Sequence, residues 1–184
     1  MKARRYHWRA ACALIVGMLL VAGLARADDR TEIVSKSQVA LEKLRHHAKE
    51  IDKLISRASG VLVFPDVVEM GFGERGRYGE GALLIKGEPV AYYASAGAPH
   101  DMTTEGGRKV EVLLFMNQQS LVDFRNTINW KIGVSERVTK VRVDERGRLE
   151  TTSNAPPVLG LSYNDAGVLG NLDLNGTTIN RIAR

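Results

Sequence analysis

The spacing of apolar residues changes character once along this chain. From residue 31 to 58, Leu41, Leu44, Ala48, Ile51, Ile55 and Ala58 recur at alternating three- and four-residue steps. Residues at that spacing share one face, so the segment "TEIVSKSQVALEKLRHHAKEIDKLISRA" is predicted to be an amphipathic helix. Gly60 ends the pattern. Beyond it come short apolar, β-branched runs closed by turn residues: "GVLVF" (60–64), "VVEM" (67–70), "ALLI" (82–85) closed by "KGEP", "EPVAYYASAG" (88–97) and "KVEVLLFM" (109–116). These read as strands. "NQQSLVDFRNTI" is predicted to be a short helix capped by Asn117 or Ser120, with Leu121, Phe124 and Ile128 along one side. Residues 136–153 read as a hairpin, with Val141 and Val143 alternating against charged neighbours, and "VLGLSY" and "GVLGNLDLNG" as the last strands. The expected fold class is α+β: a mostly antiparallel, glycine-rich sheet or partly closed barrel, with helices to one side.

Within the strands, "EMGFGERGRYGEG" holds Gly71, Gly73 and Gly76 in the spacing G-x-G-x-x-G. In a dinucleotide site that spacing follows a strand and opens a helix whose amides hold the phosphates. Here Gly76, Gly79 and Gly81 fall where the first helical turns would lie, and each would cost about 1 kcal/mol there. Strand, turn and strand is the better account, with glycine permitting a positive φ or close backbone approach. No nucleotide is expected.

Residues 1–27 have the three parts of a secretory signal peptide: the basic "MKARRYHWR", an apolar run from Ala10 to Ala25, and the small-x-small site "ARA" before Asp28. The run is shorter than the ~20 residues of a membrane-spanning helix. The expected product is an exported domain, residues 28–184, in the periplasm or cell envelope, with outer-membrane association as one location. An uncleaved anchor is the alternative. The leader holds Lys2, Arg4, Arg5, Arg9 and Arg26 and no acid, so residues 28–184 carry equal numbers of basic and acidic side chains. The precursor's formal charge of +5 therefore gives no reason to expect a nucleic-acid partner. The lone Cys12 lies in the leader, so the exported part has no disulfide or thiolate chemistry.

Candidate chemistry is sparse. Ser95 lies in "YASAG" without the first glycine of a nucleophile elbow, and nothing in the sequence ties it to His100 and Asp101. Adjacent His46 and His47 point about 100° apart on a helix and poorly share a metal. Asn171, Asp173, Asn175 and Gly176 have calcium-loop spacing, but Ile182 stands where a bidentate glutamate is needed. Trp130 and the Tyr92–Tyr93 pair read as core or hairpin residues. No catalytic residue, metal or cofactor is expected. Arg45, Lys49, Lys53 and Arg57 recur every four residues as a basic ridge beside the apolar stripe. Such a ridge suits anionic headgroups while the stripe enters the interface, or it is a solvated face on a helix packed against the sheet. Arg75 and Arg77 offer a second basic point.

The order of "GVLVFP", Gly71-Phe72, Gly76, Gly79 to Gly81, Tyr92-Tyr93, Ala96-Gly97, Phe115-Met116, Trp130 with Gly133, and Gly160-Leu161 through Gly176 resembles the SYLF domain, over nearly all of residues 31–180. The resemblance implies a lipid-binding module without catalytic residues, and anionic phospholipid or a membrane surface as partner. Actin, bound by yeast members, is not expected for an exported protein. A protein–protein interaction module of the envelope, or a hydrolase with an unrecognised site, are the alternatives. The lipid and the oligomeric state are not legible.

Overall fold

The computed structural model describes residues 30–46, 49–72, 74–97, 107–143, 148–151, 155–165, 167–169 and 176–184; at 49, 70–72, 74, 75, 142, 143, 168 and 169 only the backbone is described. Residues 33–183 form one compact unit. Its helices are α1 (residues 30–46), α2 (Lys49–Arg57) and α3 (Gln118–Asn126). The strands are β1 (Gly60–Phe72), β2 (Glu74–Ile85), β3 (Glu88–Gly97), β4 (Gly107–Phe115), β5 (Trp130–Lys131), β6 (Val138–Val143), β7 (Leu149–Thr151), β8 (Val158–Asn164), β9 (Gly167–Leu169) and β10 (Thr178–Ile182). They join in one sheet in the order β5-β10-β3-β2-β1-β4-β8-β6-β7, with β9 also paired to β8. Every pairing between these strands is antiparallel except β6 with β8, and the sheet curls into a half-barrel. The α+β class is as the apolar pattern predicts.

The helices do not lie to one side, and this corrects the sequence expectation. Val61 and Val63 of β1 pack with Leu41, Leu44, Ile51 and Ile55 of α1 and α2. Leu62 and Phe64, pointing the other way, pack with Leu121 and Phe124 of α3. The central strands are thus covered on both faces, which is why "GVLVF", "ALLI" and "VLLF" are continuous apolar runs without polar alternation. Phe124 is the hub of the α3 side, with ring centres 4.7 Å from Phe115, 4.8 Å from Tyr93 and 5.2 Å from Trp130. The register shifts around Pro65 and Asp66, a bulge that accommodates a proline within the strand and keeps both Phe64 and Val67 on the α3 side.

Asn117 caps α3, its Oδ1 accepting from the Ser120 amide at 2.8 Å, while Leu121 and Phe124 are buried as expected. Ile128 departs from the expectation. The helix ends at Asn126 and Thr127 is extended (φ −91°, ψ 122°), so Ile128 leaves the helical face and is 86% exposed.

Gly76, Gly79 and Gly81 lie inside β2, so Glu74–Ile85 is strand and not helix, while Gly73 lies outside the described residues. Their reason is steric. A Cβ on Gly81 would stand 2.1 Å from the Val63 carbonyl oxygen and 2.7 Å from the Phe64 ring. One on Gly79 would meet Val67 Cγ2 at 2.9 Å. Close approach of β2 to β1 therefore requires glycine at 81. Gly81→Ala is expected to destabilise the fold by more than about 2 kcal/mol. Gly87, in the exposed β2–β3 turn, provides the control: a Cβ there would meet nothing within 4 Å, and asparagine is among the side chains that best tolerate its left-handed φ of +85°. Gly87→Asn should cost no more than about 1 kcal/mol. Thermal melts of both variants check this.

Candidate functional site

The α3 face has an apolar end and a polar end. Alternation from Leu83, Leu113, Ala91 and Ile179 places Arg77, Glu111, Lys109, Ser95 and Thr177 on this same face, and Ser162 follows from Val158. Arg77 on β2 reaches past β1, and its Nη2 donates to Glu111 Oε2 on β4. Lys109 Nζ donates to Glu69 Oε1 of β1 and lies 3.7 Å from Glu111 Oε1. The four charges balance. The Arg77 side chain is fully buried and Glu111 nearly so. Burial pushes the Glu111 carboxyl above its ordinary range, opposed by the neighbouring Arg77 and Lys109 cations. Around this network the Ser95, Ser162 and Thr177 hydroxyls are buried with no hydrogen-bond partner among the described residues.

The network links β1, β2 and β4 through side chains. Removing one member of a buried pair leaves an uncompensated charge. Arg77→Met alone is expected to cost about 3–5 kcal/mol. The double variant Arg77→Met, Glu111→Met should recover at least about 2 kcal/mol of that, because the Lys109–Glu69 pair remains. Chemical denaturation of the two single variants and the double checks the cycle.

The opposite face carries the helices. Tyr163 of β8 donates to the Ala40 carbonyl of α1 at 2.6 Å, and burial pushes its phenol up to about 12. Beside this contact lies an open groove of about 340 Å³, lined on one side by Lys36, Val39, Ala40 and Lys43 and on the other by Pro65 and Arg108 among others. Positions 36, 39, 40 and 43 are one helical face. Arg108 is tied to Asp66 at 2.8 Å. A second open groove, of about 420 Å³, is lined by Arg57, Leu54, Met116 and Pro156.

The structure separates the basic residues that the sequence groups. Lys53 and Arg57 are exposed on α2. Arg45 lies 3.1 Å from Asp52 and 3.5 Å from Glu42, so its charge is largely neutralised. The side chains of Lys49 and Arg75 lie outside the described residues. Arg77, expected at a basic turn, is instead inside the ion-pair network and does not present its charge to a surface. The leucines and isoleucines of the stripe are equally committed: Leu41, Leu44, Ile51 and Ile55 are core. Lys43, which the ridge reading omitted, is exposed at the groove and has no ion-pair partner among the described residues. Its signal was the i, i+7 spacing from Lys36.

Ser95 is a buried strand residue, while His100 and Asp101 lie outside the described residues. His46 is exposed, and His47, Asn171, Asp173 and Asn175 lie outside them as well. Among the described residues no three His, Cys, Asp or Glu side chains group to hold a metal, and no helix is long and apolar enough to cross a membrane. The expected leader, residues 1–27, falls outside the described residues. Compared with known proteins, the chain matches no family model and no curated protein.

Proposed function

We propose that this chain is a non-enzymatic binder of anionic membrane surfaces, exported to the cell envelope by its leader. One observation carries the reading. On α1 and α2 the apolar stripe is consumed by the core, while Lys43, Lys53 and Arg57 remain exposed and unpaired among the described residues. Of the acids on the same helices, Glu42 and Asp52 flank Arg45, and Glu50 Oε2 accepts from the Leu149 amide at 3.0 Å. The described side chains of α1 and α2 are six cations (Arg30, Lys36, Lys43, Arg45, Lys53 and Arg57) against four carboxylates (Glu32, Glu42, Glu50 and Asp52), so these helices are net positive although residues 28–184 are formally neutral. The resemblance to the SYLF domain supports the same reading.

Contact of this kind is electrostatic. Each basic side chain near an anionic surface is worth about 1 kcal/mol, and salt screens it. Lys53→Glu with Arg57→Glu is expected to weaken binding to anionic vesicles by well over tenfold, with the melting temperature nearly unchanged because exposed charges stabilise folds little. Co-sedimentation with anionic and neutral vesicles at low and high salt measures it. Binding that ignores both the charge reversal and the salt would remove this face from the account.

A further inference from the structure

Headgroup attraction alone gives weak, salt-sensitive contact, and peripheral proteins add apolar anchors to it. The helical stripe supplies none, because its leucines and isoleucines are in the core. The anchors have to come from apolar side chains already outside. The two most exposed large apolar residues among those described are Ile128, at 86%, and Val134, at 76%. Both stand in the short turns that bracket β5, the strand at one edge of the sheet.

These turns are built to hold the side chains out. Before β5, the Thr127 amide donates to the Phe124 carbonyl, Thr127 Oγ1 donates to the Asp123 carbonyl at 2.7 Å, and the Asn129 amide donates to Asn180 Oδ1 at 3.1 Å. Asn129 has φ +54°, which reverses the chain directly after Ile128. After β5, the Val134 and Ser135 amides both donate to the Lys131 carbonyl, at 3.1 and 2.7 Å, and the Lys131 amide donates to Ser135 Oγ at 2.9 Å. Gly133, at φ +83°, makes that turn. Between the two, Trp130 is buried against Phe115 and Phe124 and ties the edge to the core. Ile128 and Val134 therefore project from hydrogen-bonded turns fixed at both ends, where a polar side chain would serve the fold equally well.

The surroundings select the partner. Arg125, Lys131, Arg137 and Arg181 are exposed on the same edge, and Arg125 and Arg181 both lie near enough to Tyr93 to act on its phenol. Among the described residues the acids there are Asp123, which accepts from Gln119 Nε2, and half-buried Glu136. Apolar tips among cations match an anionic bilayer, whose headgroups meet the cations while the tips pass below them. We propose that the β5 edge is the inserting surface of this protein, with Ile128 and Val134 as its membrane anchors. This rests on the membrane reading above and names a contact that reading does not contain.

The test uses protein recovered from the envelope of expressing cells. Vesicles are of neutral phosphatidylcholine, with and without anionic phosphatidylglycerol. Ile128→Ser with Val134→Ser is compared with the unsubstituted chain by co-sedimentation. Separately, Ile128→Cys in a Cys12→Ser background carries an environment-sensitive fluorophore. The expected result is an unchanged melting temperature, anionic-vesicle affinity lower by roughly tenfold to a hundredfold, and a blue shift of the fluorophore on vesicle addition. If the unsubstituted chain binds and the serine variant binds equally with no shift at residue 128, the edge proposal is overturned and the membrane reading stands. A shift that appears without vesicles and grows with protein concentration assigns the edge to a second copy and also overturns it. If the unsubstituted chain binds no vesicle, the membrane reading fails and the edge proposal with it.

Discussion

Arg77 reaching past β1 to Glu111 is the interaction on which the polar half of the sheet depends. A buried guanidinium and a buried carboxylate are tolerated in a fold when they pair with each other and further charges complete the balance. Lys109 and Glu69 do so here, joining β1, β2 and β4 by side chains where α3 no longer covers them. The glycines of β2 belong to the same constraint. Without a side chain at 79 and 81, the strand lies close to β1 and leaves Val67 and Phe64 their space on that face. One face of the sheet is thus closed by an aromatic cluster at one end and a charge network at the other.

The opposite face is closed by α1 and α2, and this decides what the helices offer to a partner. An amphipathic helix can place its apolar stripe in a bilayer or in a core. Leu44 and Ile51 are fully buried against the sheet, and the Tyr163 phenol holds the backbone of α1 at Ala40. What remains outward is mostly polar and charged, with Val39 the exposed apolar exception. In the proposed account membrane contact divides into two physical parts: cations on the helices, and apolar tips on turns of the β5 edge.

Much of the fold was legible because its signals are local. The 3-4 spacing marks α1 and α2, Asn117 marks the start of α3, and "KG" marks a tight hairpin, with Lys86 at φ +54° and Gly87 at φ +85°. The division of the helices between two faces was not legible, because a continuous apolar run does not say what covers each side. Arg77 was misplaced for a related reason. Its partner lies 34 residues away, and "ERGRYGEG" reads as a surface turn. A clue was present in β4: alternation puts Glu111 beside Leu113 and Phe115, and a carboxylate on an apolar face calls for a buried cation. Ile128 was misplaced because the helical spacing runs one turn past the point where Thr127 becomes extended. The free cations were the least legible feature, since ion pairing depends on which acids the fold brings near. Lys43 and Arg45 look alike in sequence and differ in having Asp52 nearby.

The central claim is that the chain meets membranes with its folded surface and keeps its helical stripe in the core. Hydrogen–deuterium exchange with and without anionic vesicles addresses it most directly. The account predicts slower exchange in the turns at 127–135 on vesicle addition, and unchanged protection in β1, β4 and residues 33–46. Loss of protection in β1 together with 33–46 would mean that the stripe leaves the sheet to enter the bilayer, and would contradict the account.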